Sequence, residues 1–198
     1  MSHFSIVRDA SLALRDLLFG ALNTVPDVDF GFSNVTTDIV LSAPDSDIPE
    51  NARLSVYLYN IAPDPEMRNQ RDLAVGPGGL IRPPLPLRLH YLITPLQGDE
   101  AQNQLVLGRV MQALHDTPFL GQVGGAPLDD SFGGGSPELR LSIVPMTLEE
   151  LSRIWHAMGT DYRLSVTYMM RVAMIDTALD PRRAARVAEK HLVVETRD

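Results

Sequence analysis

The side chains able to do chemistry in this sequence are scattered histidines, three close pairs of aspartates, one serine in a glycine run and a set of arginines in a proline-rich stretch. His3, His90, His115, His156 and His191 form no HExxH or HxH arrangement, the spacings that bring two imidazoles to one metal. Asp27 and Asp29, Asp45 and Asp47, and Asp129 and Asp130 could hold a hard cation, but each pair lies among turn residues, where aspartate bonds its own backbone. The GGGSP run at 133–137 is not a GxSxG nucleophile elbow. Lys190 is the only lysine, so no GxxxxGK[ST] phosphate loop exists. With no cysteine, thiolate nucleophiles, disulfides and cysteine-ligated zinc or iron–sulfur sites are excluded. Nothing singles out a carboxylate pair for glycoside hydrolysis. The expectation is no catalytic residue, no cofactor and no metal.

The arginines are more informative. Tyr57, Tyr59, Arg68, Arg71 and Arg82 combine aromatic and basic groups, which can stack bases and bind phosphate. A net charge of −8 weighs against broad nucleic-acid binding and favours a strand face beside a loop that pairs with acidic protein groups. Residues 62–84 hold that loop, which exceeds the ~12–15 residues common in compact domains and is therefore a candidate contact surface. Its candidates are Arg68, Asn69, Arg71 and Arg82. Met169, Met170, Met174 and Trp155 read as core instead.

These groups must be positioned by a chain of 198 residues, 44% hydrophobic and 21% charged, the size and mixture of one globular domain. At 100° per residue, Ile6, Ala10, Ala13, Leu14, Leu17, Leu18 and Ala21 share one helical face. Arg8, Asp9, Arg15 and Asp16 lie opposite and interrupt any signal-peptide run. No stretch reaches the ~18 apolar residues of a membrane span, so the expectation is a soluble chain made in the cytoplasm. Strands are expected at 35–41, 52–61 and 85–94, while prolines and a Gly-Pro-Gly-Gly turn bar a regular element from 62–84.

Asp99 caps a helix with a stripe of Leu107, Val110, Met111 and Leu114, ended by Pro118. The glycine-rich 121–137 reads as a mobile excursion. Leu139, Leu141 and Ile143 mark a short strand. Thr147 and Glu150 have capping-box spacing for a helix with Leu148, Leu151, Trp155 and Met158 inward and Gly159 as its stop. Leu164, Val166, Tyr168, Met170, Val172 and Met174 form a strand whose other face, with Met169, Ala173 and Ile175, is also apolar, which predicts a central strand covered on both sides. A charged segment after Pro181 leads to Leu192, Val193 and Val194. The fold class is α+β: a single mostly antiparallel or mixed sheet packed by about three helices, with long loops. Residues 1–178 form the domain and 179–198 a C-terminal arm.

The segments VYLYNIAPDPEMRNQ, PPLPLRLHYLITP, LGRVMQALHDTPFL and MTLEELSRIWHAMGTDYRLSVTYMMRV, in that order, resemble the cap or tail-terminator family of phage-tail-like contractile injection systems. The resemblance runs from about residue 3 to 177 and is most specific in LHYLITP with LGRVMQALHDTP and in the SRIW to SVTY block. It implies a six-membered ring that sits on the last inner-tube ring, ends tube growth and touches the final sheath layer. The implied partners are further copies of the chain, the inner tube protein and the sheath protein, with no nucleic acid and no membrane. It also implies assembly in the cytoplasm, within a particle that can be released, and no enzyme chemistry.

A closed ring repeats one heterologous interface, which needs two different patches on each chain. Arg68, Asn69, Arg71 and Arg82 are candidates for one, through arginine's planar fork. Leu192, Val193 and Val194 are candidates for an arm that adds a strand to a neighbour. Two other classes remain open: a catalytic or small-molecule-binding α+β domain, which needs a preorganised pocket, and a phage connector or tail-completion protein, which needs a basic lumen. Charge reversal at Arg68 and Arg71 is expected to impair ring assembly or tube capping; if both persist in the double variant, these arginines are not the contact.

Overall fold

The computed structural model describes residues 3–26, 28–45, 47–67, 70–76, 79–123, 126–127 and 139–183. A short 3-10 turn, His3–Ser5, leads into α1, Ile6–Asn23, whose apolar spacing buries Ala10, Ala13, Leu14, Leu18 and Leu22. Ser11 is buried on the same helix because its hydroxyl shares a 2.9 Å hydrogen bond with that of Tyr91. Burial pushes the Tyr91 pKa up to about 12, with the Ser11 bond acting in the opposite sense.

The strand expected at 35–41 is instead one helical turn, α2 (Val35–Asp38), followed by a two-residue strand, β1 (Ile39–Val40). Local side-chain bonds explain the difference. Asn34 accepts the Thr36 N–H at 3.0 Å, and the Asp38 carboxylate accepts the N–H groups of Ser33 and Asn34 at 2.6 and 2.8 Å. β2, Leu54–Pro63, follows, where the alternation placed it. Residues 62–84 are not free of regular structure: β3 (Leu73–Val75) and β4 (Gly79–Ile81) form a hairpin, entered through Gly76 at φ 62°. Gly76 and Gly79 therefore bound a hairpin where a bar to regular structure was expected.

β5, Leu85–Pro95, is followed by α3, Glu100–Asp116, whose first turn is capped by Asp99 accepting the Ala101 N–H at 3.3 Å. Met111 is exposed, and Asn103 takes a buried place on α3 because its side chain closes two hydrogen bonds with the Gln97 backbone. β6 (Phe119–Leu120), β7 (Gln122–Val123) and β8 (Ala126–Pro127) begin the glycine-rich stretch, and the rest of that expected excursion lies outside the described residues. β9, Leu139–Ile143, leads to α4, Leu148–Met158, with the expected capping box between Thr147 and Glu150 and Gly159 left-handed at φ 70°. Leu148, in the first turn, is exposed and Trp155 is buried. β10, Val166–Ile175, starts after the exposed Leu164, and β11, Arg182–Arg183, closes the described chain.

The fold is α+β. Its main layer is a six-stranded mixed sheet in the order β1-β2-β5-β10-β9-β6, antiparallel except for the β1–β2 pair. β5 and β10 are central, as the apolar pattern of β10 required. Beyond the single sheet expected, a three-stranded sheet, β11-β4-β3, and a two-stranded one, β7-β8, stand apart. Helices α1 and α3 pack together, and Leu14, Leu18, Val106 and Val110 form one core with Leu54, Val56, Leu89, Ile93 and Met170 of the sheet. On the opposite face Leu92, Thr94 and Thr167 are buried as well, and the Tyr59 hydroxyl donates to Met146 Sδ at 3.6 Å, which brings the entry of α4 over that side. Among the described residues no helix is long and apolar enough to cross a membrane. Leu89 sits fully buried on central β5, so Leu89→Ala is expected to cost about 2–5 kcal/mol, read as a lowered urea midpoint; an unchanged midpoint would contradict this packing.

Candidate functional site

The site begins where β2 hands over to the long excursion. In the β5–β10 pair, Arg88 stands directly opposite Arg171, and like charges in that relation repel. Asp64, just after β2, lies between them: Arg88 Nη2 donates to Asp64 Oδ1 at 2.9 Å and Arg171 Nε donates to Asp64 Oδ2 at 3.0 Å. Glu66 accepts from the same Arg88 Nη2 at 3.1 Å and from Arg171 Nη2 at 2.6 Å, while the buried Arg88 Nε has no partner among the described residues. The Asp64 N–H donates to the Pro86 carbonyl at 2.8 Å, and Asp64 Oδ1 also accepts the Glu66 N–H at 3.0 Å. Burial alone would raise the Asp64 pKa, but hydrogen bonds from Arg88, the Glu66 backbone and Arg171 outweigh it and hold the carboxyl below its ordinary range. Glu66 is lowered too, first by its hydrogen bond from Arg171.

From this knot the chain runs out to the β3–β4 hairpin. Ala74 and Arg182 both pair with Leu80, so strand alternation puts Asp72, Leu80, Arg82 and Arg182 on one face of the small sheet. That face walls a groove of about 980 Å³, whose other side is built from Pro83, Leu85, Ile175, Asp176, Leu179 and Asp180. Arg182 is ion-paired with Asp72. Arg82 is exposed and has no partner among the described residues. The arrangement sets apolar surface beside charges of both signs, Arg82 and Arg182 with Asp72, Asp176 and Asp180.

Of the residues expected at a contact surface, Arg82 lines this groove, whereas Arg71 is exposed and does not line it. Arg68, Asn69, Leu192, Val193 and Val194 lie outside the described residues. Sequence reasoning missed Asp64, Asp72, Arg88, Arg171 and Arg182. The one signal for the hairpin was the Gly-Pro-Gly-Gly turn between two short apolar runs.

Other chemical candidates are occupied locally. Asp29 accepts the Gly31 N–H at 2.7 Å and Asp45 the Asp47 N–H at 3.1 Å, the backbone bonds that turn aspartates make. Tyr59 leans on His90 with ring centres 6.0 Å apart, and burial, then the charge of Glu150, raises its pKa. Among the described residues no group of three or more His, Asp or Glu is placed to hold a metal.

The sequence model of the Pvc16 N-terminal domain matches residues 9–189. Among curated protein sequences, none matches significantly. Two solved structures share the fold. One is the sheath/tube terminator of the PVC extracellular contractile injection system in its extended state: 24% identity, TM-score 0.59, covering 97% of this chain and 64% of the other. The second is the tube-terminating cap of the anti-feeding prophage, at 20% identity and TM-score 0.53, covering 92% of this chain and 59% of the other. The chain thus spans less than two thirds of either, and at these identities the likeness is one of fold.

The Asp64 knot can be tested by pH. A carboxyl with a depressed folded pKa contributes stability that is present above its unfolded value, about 3.9, and lost as pH falls through the folded one. Asp64→Asn, which leaves two arginines face to face, is expected to cost about 2–4 kcal/mol at neutral pH, with the gap to the parent closing in acid. Equal urea midpoints for parent and variant at pH 7, or a gap that does not close, would remove Asp64 from this role.

Proposed function

The chain belongs to the Pvc16 N-terminal domain family, and from that premise we propose that it is a structural cap of a contractile injection system. It forms a ring of like subunits, seats on the last ring of the inner tube, ends tube growth and contacts the final sheath layer. The observation that carries this reading is the family match over residues 9–189, joined to a fold shared with a sheath/tube terminator and a tube-terminating cap. The groove beside the small sheet, with exposed leucines next to charges of both signs, is a surface on which a protein partner can sit. Residues 1–178 act as the terminator domain and the segment after them as an arm. Its partners are further copies of itself, the tube protein and the sheath protein, met in the cytoplasm before the particle is released. It catalyses no reaction, takes no cofactor and binds neither nucleic acid nor membrane.

Light scattering of the purified protein, with and without its cognate tube protein, tests this directly. A mass of six subunits is expected, either alone or only on the tube, and electron micrographs should show shorter tubes as the protein is added during tube growth. A monomer that ignores tube protein and leaves tube lengths unchanged would refute the reading.

A further inference from the structure

Charge is laid out unevenly across the main sheet. Register sets Arg171 opposite Arg88 on one side and opposite Arg140 on the other, so three guanidinium groups stand in one row across β5, β10 and β9. Asp64 and Glu66 answer the first two. Arg140, at the exposed end of the row, has no carboxylate at ion-pair distance among the described residues. Its guanidinium lies over the Phe119 ring, 5.1 Å from the centroid, and Phe119 is itself 42% exposed on the edge strand β6.

The opposite edge carries the reverse charge. β1 is the other edge strand, and its connection to β2, residues 41–53, holds Asp45, Asp47 and Glu50. Asp47 and Glu50 are exposed, and none of the three carboxylates has an ion-pair partner among the described residues. Arg53, the one basic residue of the connection, lies against Gly31 instead. Backbone and hydroxyl bonds keep the connection at its own edge: Ser55 Oγ donates to the Ser42 carbonyl at 2.7 Å, the Ala52 N–H to the Pro49 carbonyl at 2.9 Å and the Arg53 N–H to the Asp38 carbonyl at 2.8 Å. Four strand spacings, roughly 19 Å, separate β1 from β9. One chain thus presents a cation on an aromatic ring at one edge and carboxylates flanking Ile48 at the other, the two unlike patches that a heterologous ring interface needs.

We propose that the segment Asp47–Glu50 of one copy docks on Arg140 and Phe119 of a second copy, its carboxylates completing the arginine row and Ile48 meeting the ring. The inference rests on the ring reading and names the junction between its subunits. Exposed ion pairs fix register and discriminate partners more than they add affinity, so reversed charges are the sensitive probe.

Two variants with opposite changes test it: Arg140→Glu, and Asp47→Arg combined with Glu50→Arg. All three side chains are exposed, and circular dichroism checks that each variant keeps the parent's fold. Light scattering with tube protein, over a concentration series, reads the assembled mass. Like charges at the junction should raise the concentration for half-assembly about tenfold or more in either variant alone. An equal mixture should return to within about twofold of the parent, because variants that alternate around a six-membered ring meet opposite charges at every junction. Variants that each assemble as the parent does overturn this contact and leave the ring standing. A defect in Arg140→Glu alone assigns Arg140 to some other carboxylate and overturns the junction. Two folded variants whose mixture still fails to assemble overturn the charge pairing. A parent that stays monomeric with tube protein overturns the ring reading and this junction with it.

Discussion

Two arginines face one another across the central strand pair, and the fold requires a buried carboxylate to keep them there. Arg88 and Arg171 are register partners, so neither can leave without shifting β5 against β10. Asp64 accepts from both and binds the chain leaving β2 to the chain entering β5 through Pro86. Three strands thus meet at one group. The chain runs from that anchored point out to the hairpin, the groove and the small sheet, which adds its own strand pairing and the Arg182–Asp72 ion pair.

The sheet itself has both faces occupied. Helices α1 and α3 cover one face, and buried Leu92, Thr94 and Thr167 show the other face covered too. A sheet enclosed on both faces has little to offer a partner except its edges and excursions.

Much of the scaffold was legible in the sequence. Helix α1 announced itself by its apolar face, α4 by the Thr147–Glu150 box and Gly159, and β5 and β10 by runs of alternating apolar residues; in each the signal is local and repeats. The failures share one cause. α2 replaced an expected strand because Asn34 and Asp38 bond nearby backbone, a competition that apolar periodicity does not register. The β3–β4 hairpin has strands too short to show a period, and β11 is only two residues long. Among site residues, Arg82 was visible as an arginine in a long loop. Asp64 and Arg171 were not, since they are 107 positions apart and neither carries a local mark. Family resemblance, by contrast, rested on ordered blocks along the whole chain, and the family match bore it out.

Strand order has a temporal side. β5 ends at Pro95, yet its second neighbour, β10, runs only from Val166 to Ile175. At about 5–20 residues per second, synthesis of the 80 residues from Leu96 to the end of β10 takes about 4–16 s, during which β5 has one edge without a partner. Asp64 and Arg88 are already present in this interval, and Arg171 arrives near its end. The groove comes later still, because Leu179 and Arg182 are among its walls. A nascent chain therefore has no finished groove until almost all of these strands have been made.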